Sequence, residues 1–345
     1  PIQNDMDNDG LGDACDNDPD GDGLTSFANP RDTLAGGWYH HGFIQPDGEI
    51  GIWGDTQYSL SADKPTGSSG PFVKIKASDY GLCVIDNQGY LTCWGDNNDA
   101  PMNNEPENSG WLDVALASDH ACAVHGSGTA KCWGTDSVSE TLITVPTDNG
   151  TEITNWVAIE AMHNNACGLR ATGQLLCWGY DADGYAQNTV PTLDPTASSW
   201  LEFDVGYYHS CAVDDQGQLH CWGLDTSGQV SGYQDDYDDN YWVDVATGYS
   251  HTCGLRTDGA IVCWGDNSQQ QTASPSGHHF IAVTAGFNHA CGLYVANNTS
   301  HMHCWGASNQ LALINDFDAA NGISLVTPSR DNCPDISNPE QTNTD

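Results

Sequence analysis

The sequence predicts an all-β fold: a seven-bladed β-propeller with short irregular calcium-binding segments at both ends. Three observations predict it. A Trp-Gly pair recurs at Trp53, Trp94, Trp133, Trp178, Trp222, Trp264 and Trp305, at spacings of 41, 39, 45, 44, 42 and 41 residues. A pair of cysteines accompanies every Trp-Gly pair but the first. Turn dipeptides, among them Gln88-Gly89, Gln216-Gly217 and Asp258-Gly259, fall between the two cysteines of a pair. A fixed period of about 40 residues, carried by strands and tight turns, is the mark of small sheets repeated around an axis. Seven repeats give seven blades.

Taken in order, residues 1–30 form an acidic segment, 31–328 the propeller and 329–345 a second short segment. The first blade is Thr33 to His40, a turn at Gln45-Pro46-Asp47-Gly48, and the strand Ile50 to Gly54. The clearest repeat runs from the apolar strand Trp242 to Ala246 through His251-Thr252-Cys253 and Asp258-Gly259 to Cys263-Trp264-Gly265. Trp111, Trp156, Trp200, Trp242 and Phe280 open the first strand of successive blades, and a residue used once per blade reads as core packing. The loops after each Trp-Gly vary in length and are the surface most free to carry binding. In the last repeat the tip is enlarged, and Ile323 to Thr327 is expected to close the ring against blade one. Asn149, Asn297 and Asn298 head glycosylation sequons, which a bacterial source would leave bare.

The chain has 345 residues with 8 Lys and Arg against 47 Asp and Glu, a formal charge of -39. Such a surface repels nucleic acid and anionic membranes and suits calcium. No stretch approaches the roughly 20 apolar residues of a membrane helix. The sequence starts at Pro1 inside a motif and reads as a processed piece or a segment of something longer.

Of fourteen cysteines, twelve pair by position: Cys83/Cys93, Cys122/Cys132, Cys167/Cys177, Cys211/Cys221, Cys253/Cys263 and Cys291/Cys304. With the turn centred on Asp258-Gly259, Cys253 and Cys263 become cross-strand neighbours close enough to bridge. Gly42 and Ile52 replace both members in the first repeat, as expected of bonded partners. Each disulfide would contribute roughly 2–3 kcal/mol by chain entropy. Disulfides at this density imply a secreted, extracellular or cell-surface protein. The alternative is twelve small buried thiols, or metal sites.

Asp5, Asp7, Asp9, Asp13 and Asp16 place oxygens at positions 1, 3, 5, 9 and 12 of a calcium loop, with Gly10 at the sharp turn and the carbonyl of Leu11 at position 7. A second loop offers Asp18, Asp20, Asp22 and the carbonyl of Leu24; a register starting at Asp16 is equally open. Ca2+ is the expected cofactor. Asp5 to Asp16, ending Gly12-Asp13-Ala14-Cys15-Asp16, and Asp331-Asn332-Cys333-Pro334 resemble thrombospondin type 3 repeats. The resemblance implies that Cys333 and Cys15 are halves of one bonded motif, in reversed order here. Cys333 of one chain would then meet Cys15 of another copy, head to tail, in an array or filament. The other reading is a cut from a longer multidomain protein.

Val245-Ala246-Thr247-Gly248, His251, Asp258-Gly259 and Trp264-Gly265 resemble the repeat of the RCC1-like propellers, in a short cysteine-bearing form. The nuclear member of that family is an exchange factor for a small GTPase and binds chromatin. Acidity, paired cysteines and calcium-type loops argue against that role here, and the fold hosts many functions.

His40, His120, His209, His251 and His289 share one repeat position and read as turn-stabilising residues. His301-Met302-His303 is a weak metal signal. The sequence holds no nucleophile or phosphate-cradling motif, so the expectation is a non-enzymatic protein. The expected role is a structural or adhesive unit joined through its ends; the rival reading is a propeller whose variable loops hold a protein or glycan. A contiguous aromatic or apolar patch on one propeller face would favour the second.

Overall fold

A computed structural model describes residues 30–38, 40–45, 48–54, 60, 64–65, 71–96, 104–135, 143–181, 184–233, 241–296 and 299–307. Blade 1 is β1 (Leu34–Gly36), β2 (His40–Ile44) and β3 (Ile50–Gly54), entered through a 3-10 turn at Pro30–Thr33. Blade 2 is β4 (Phe72–Ala77), β5 (Gly81–Asp86) and β6 (Leu91–Gly95); blade 3 is β7 (Trp111–Leu116), β8 (His120–His125) and β9 (Ala130–Gly134). A small hairpin, β10 (Thr147–Asp148) and β11 (Thr151–Glu152), precedes blade 4, which is β12 (Trp156–Met162), β13 (Asn165–Arg170) and β14 (Leu175–Gly179). Blade 5 is β15 (Trp200–Val205), β16 (His209–Asp214) and β17 (Leu219–Gly223); blade 6 is β18 (Trp242–Thr247), β19 (His251–Arg256) and β20 (Ile261–Gly265). Blade 7 is β21 (Phe280–Ala285), β22 (His289–Ala296) and β23 (Thr299–Gly306).

Every blade is an antiparallel sheet in sequence order. The first strands stand side by side around the axis, and β21 returns against β1. A cavity of about 70 Å³ runs between them. The ring therefore closes through its inner strands; Ile323 to Thr327, the segment expected to close it, lies outside the described residues.

The apolar core is divided into seven clusters, one at each blade interface. In one of them Cys83, Ile85 and Leu91 of blade 2 pack on Trp111, Val114 and Trp133 of blade 3. In another, Cys211, Val213 and Leu219 of blade 5 pack on Trp242, Val245 and Trp264 of blade 6. The two tryptophans of each of blades 3–6 thus cover the hairpin of the blade before. Trp94, Trp222, Trp264 and Trp305 satisfy their indole N–H on the carbonyls of Leu60, Gln187, Gln229 and Gln271, at 2.7–3.0 Å.

Six disulfides join the second and third strands within blades: Cys83–Cys93, Cys122–Cys132, Cys167–Cys177, Cys211–Cys221, Cys253–Cys263 and Cys291–Cys304. The partners stand directly opposite, with Cα atoms 4.0–4.1 Å apart. Gly42 and Ile52 occupy the same register in blade 1. A Cβ on Gly42 would stand 2.5 Å from Ile75 Cδ1, so blade 2 fills the space left by the absent cysteine.

Hairpin tips tie each blade to the next. The tips of blades 1–6 end in a left-handed glycine, at φ +73 to +80° for Gly48, Gly89, Gly128, Gly173, Gly217 and Gly259. The carbonyls of these glycines accept the N–H of Phe72, Trp111, Trp156, Trp200, Trp242 and Phe280, the first residue of the next inner strand, at 2.8–3.1 Å. A Cβ on Gly128 would lie 2.0 Å from the Thr154 oxygen.

Carboxylates add a second set of ties near the axis. Asp113 accepts the Ile159 N–H at 2.8 Å, Asp204 the Thr247 N–H at 2.5 Å and Asp244 the Val283 N–H at 3.3 Å, each from the following blade. Lys74 bridges Asp32 at 2.9 Å and Asp113 at 2.8 Å. Burial works against its charge, but Asp113 and then Asp32 outweigh it and hold the Lys74 ammonium above its ordinary range. Lys76 reaches Glu160 of blade 4 across the cavity.

His40, His120, His209, His251 and His289 are 0–2% exposed. For three of them the contacts reach beyond their own turns. His209 Nε2 lies 2.8 Å from Thr252 Oγ1 in blade 6. The His40 ring sits beside the main chain of Gly81, and the His251 ring beside that of His289, again in the following blade. Burial holds His40 and His209 down at about 4 and His251 at about 3.

Two predictions follow from these ties between blades. Gly128→Ala combines backbone strain of about 1–2 kcal/mol with a steric clash, whereas Gly150, also left-handed, has nothing within 4 Å of an added Cβ. Urea unfolding should show Gly128→Ala costing clearly more than Gly150→Ala; equal costs would remove the tip contact from the account. For the histidines, the unfolded imidazole titrates near 6.5 and the folded ones lower, so the unfolded chain takes up protons first as pH falls. Their contribution is intact above pH 6.5 and is lost as pH falls toward 4 and then 3. Glu160, raised by burial, acts in the opposite sense, but it is common to wild type and variant. His251→Gln should therefore flatten the fall in stability between pH 6.5 and 4 by up to about 1.4 kcal/mol per pH unit. Calorimetric melting across that range checks it, and an unchanged slope would contradict it.

Candidate functional site: the aromatic mouth of the axis

The turns joining first to second strands gather at one end of the axis. The third strands end on the same face: the N–H groups of Asp96, Thr135, Tyr180, Leu224, Asp266 and Ala307 donate to turn carbonyls of their own blades at 2.8–3.0 Å. The hairpin tips lie on the opposite face.

One residue from each turn points to the centre: Trp38, Asp79, Ser118, His163, Tyr207, Tyr249 and Phe287. Trp38 stacks on Phe287 at 4.5 Å and on Tyr80 at 5.7 Å. Phe287 meets Tyr249 at 4.2 Å, and Tyr249 meets Tyr207 at 5.1 Å and Tyr208 at 5.5 Å. Across the axis, Trp38 stands edge-on to Tyr207 at 6.0 Å. Tyr185, from the loop after blade 4, extends the patch to Tyr208 at 6.0 Å. Tyr207 is buried, while Trp38, Tyr80, Tyr208, Tyr249 and Phe287 are half-buried. These rings form one contiguous aromatic surface over the cavity.

A carboxylate anchors its polar side. Asp79 is 5% exposed, accepts from Ser118 Oγ at 2.5 Å and accepts from the Tyr207 hydroxyl of blade 5. Burial pushes the Asp79 carboxyl up against the opposing pull of these two donors. Burial and the neighbouring Asp79 also hold the Tyr207 phenol above its ordinary range. His163 stacks on Tyr207 at 5.3 Å and adopts φ +51°, a backbone state uncommon outside glycine. Burial lowers its pKa, with Asp79 and Asp119 opposing.

The residues singled out from the sequence fall elsewhere. Asp5, Asp7, Asp9, Leu11, Asp13, Asp16, Asp18, Asp20, Asp22 and Leu24, with Cys15 and Cys333, lie outside the described residues, as do Asn297 and Asn298. Among the described residues no group of three His, Cys, Asp or Glu is placed to hold a metal ion. Asn149 is exposed on the turn between β10 and β11. His301 and His303 sit on β23 beside Tyr294 and His278, His301 stacked on Tyr294 at 5.3 Å.

Sequence reasoning missed three buried glutamines. Gln187, Gln229 and Gln271, spaced 42 residues apart, are 0–4% exposed. Gln187 accepts from Asn165 at 2.7 Å and donates to the Tyr207 carbonyl at 3.0 Å, supporting the mouth from below. The loops read as free are therefore pinned at one point each in blades 4–6.

Blades 5 and 6 match the regulator of chromosome condensation (RCC1) repeat over residues 202–229 and 242–271. Each match ends on a buried glutamine, Gln229 and Gln271. Residues 4–27 match the thrombospondin type 3 repeat. Among curated proteins none matches the sequence. Among solved structures, the ectodomain of the receptor kinase CR4 from Physcomitrella patens has a TM-score of 0.64 at 21% identity, covering 80% of this chain and 73% of that one. The ectodomain of the Arabidopsis thaliana receptor kinase ACR4 gives 0.60 at 19%, covering 80% and 95%. Prp20p from Saccharomyces cerevisiae gives 0.63 at 14%, covering 83% and 85%. At these identities the likeness is one of fold.

Proposed function

We propose that this RCC1-like β-propeller, preceded by a segment that matches a thrombospondin type 3 repeat, is an extracellular calcium-binding protein that holds a ligand at its aromatic mouth. The observation that carries the reading is the half-buried ring of Trp38, Tyr80, Tyr208, Tyr249 and Phe287. Core packing accounts for an aromatic residue in every blade, as at Trp94 or Trp264. It does not account for aromatics gathered from five separate turns and left partly open to solvent. Such surfaces serve recognition of proteins and glycans. Six intrablade disulfides suit an oxidising compartment. The calcium segment serves as a stiff spacer. Joining of copies head to tail through Cys15 and Cys333 is a separate proposal that the mouth does not require.

Arrays of immobilised glycans and peptides, probed with the whole chain and with a Tyr249→Ala, Phe287→Ala double variant, test the mouth. The expected result is signal lost in a variant that keeps its circular dichroism spectrum. Signal that survives the double variant would move the binding site elsewhere. For calcium, titration into chelator-stripped protein should release saturable heat that Asp7→Asn with Asp9→Asn removes. Heat unchanged by the substitutions would contradict the assignment.

A further inference from the structure

We infer that the mouth takes a basic peptide segment, with a Lys or Arg side chain laid over its aromatic rings. The inference deepens the reading above and rests on it. Two independent features point the same way.

The first is the chemistry of the rings. Tyr80, Tyr249 and Phe287 come from blades 2, 6 and 7 and leave part of their surface open. The face of an aromatic ring is negative, and a desolvated ammonium or guanidinium over it is attracted electrostatically. No Lys or Arg occupies the seven mouth turns among the described residues, so nothing of the chain's own already fills that role. Five of the described basic groups are engaged elsewhere: Lys74 and Lys76 at the axis, Lys64 with Glu49, Arg170 with Asp148 and Arg256 with Asp258.

The second is the charge of the loops that leave the blades on this face. Where these loops leave blades 2, 4, 5 and 6 the chain places Asp96, Asp181, Asp225 and Asp266, each at or next to an N–H that donates to a mouth turn, Asp119 lies in the turn of blade 3, and no described Lys or Arg accompanies them. This one-signed rim surrounds an apolar centre. It attracts a cationic partner from a distance and repels nucleic acid, phosphate-bearing surfaces and acidic glycans. A neutral glycan would stack on the rings but gain nothing from the rim. A free ammonium ion would gain from the rim but cover too little of a patch spanning several blades. A peptide with basic side chains on an apolar backbone matches both.

The experiment is fluorescence anisotropy with the whole chain and three probes: a labelled nonapeptide alternating Arg and Lys with Gly and Ser, the same peptide with Glu at the basic positions, and a neutral β-glucan hexasaccharide. The expected result is saturable one-to-one binding of the basic peptide alone. It should weaken at least tenfold in Tyr249→Leu, which keeps apolar bulk without the ring, and at least tenfold again on raising salt from 50 to 500 mM. Leu112→Ala, an exposed apolar position on the opposite face, should leave it unchanged. Basic-peptide binding that is indifferent to Tyr249→Leu and to Phe287→Leu would mean diffuse attraction to an acidic surface and would overturn the inference. Hexasaccharide binding lost in Tyr249→Leu, with no basic-peptide binding, would overturn the peptide while leaving the mouth as the site. Failure of every probe at the mouth, with the arrays also blank, would count against the mouth itself.

Discussion

The structure depends on one repeated hydrogen bond, from the opening N–H of an inner strand to the tip carbonyl of the blade before it. A buried strand cannot begin with an unpaired donor at low cost. Only a left-handed glycine presents its carbonyl at that place without its own side chain intruding. Once the strand start is fixed, its tryptophan or phenylalanine lies over the preceding hairpin, and the strand runs to the far end of the axis. The turn that follows then delivers its residue to the mouth. The aromatic surface is thus a product of contacts at the other end of the molecule.

Charge is distributed by the same geometry. Only 8 basic residues face 47 acidic ones, and Lys74 and Lys76 are committed to the axis. Asp113, Asp204 and Asp244 are accommodated near the axis because neighbouring backbone N–H groups meet them. Asp79, Asp86 and Asp214 are buried on hydroxyl or backbone donors of their own, and most of the other described carboxylates lie outward, where water and counter-ions screen them. An interior that uses carboxylates as acceptors between blades and a rim crowded with them are two results of one composition.

The seven-fold period, the cysteine register and the strand-opening aromatics were legible in the sequence because each recurs at a fixed local offset. Cys253 and Cys263 stand opposite each other for the reason their spacing implies. The mouth was not legible. Its residues, Trp38, Asp79, Ser118, His163, Tyr207, Tyr249 and Phe287, differ chemically from blade to blade and meet only after the ring has closed. A search for repeated residues passes over a site made from a position at which the repeats disagree. Gln187, Gln229 and Gln271 did carry a period, but their loops differ in length and concealed it. Asp113 and Asp244 were lost among so many other acids.

Among the described residues every disulfide lies inside a blade and none crosses between blades. That placement governs how the molecule yields to a pull. Tension applied along the chain would part the blades at their non-covalent interfaces, yet the outer hairpins of blades 2–7 could not be drawn out, because the cystine carries the load past them. The propeller would pay out in short steps and retain six small folded loops even when its ring is broken. In a reducing medium the same pull would run through each hairpin to full extension.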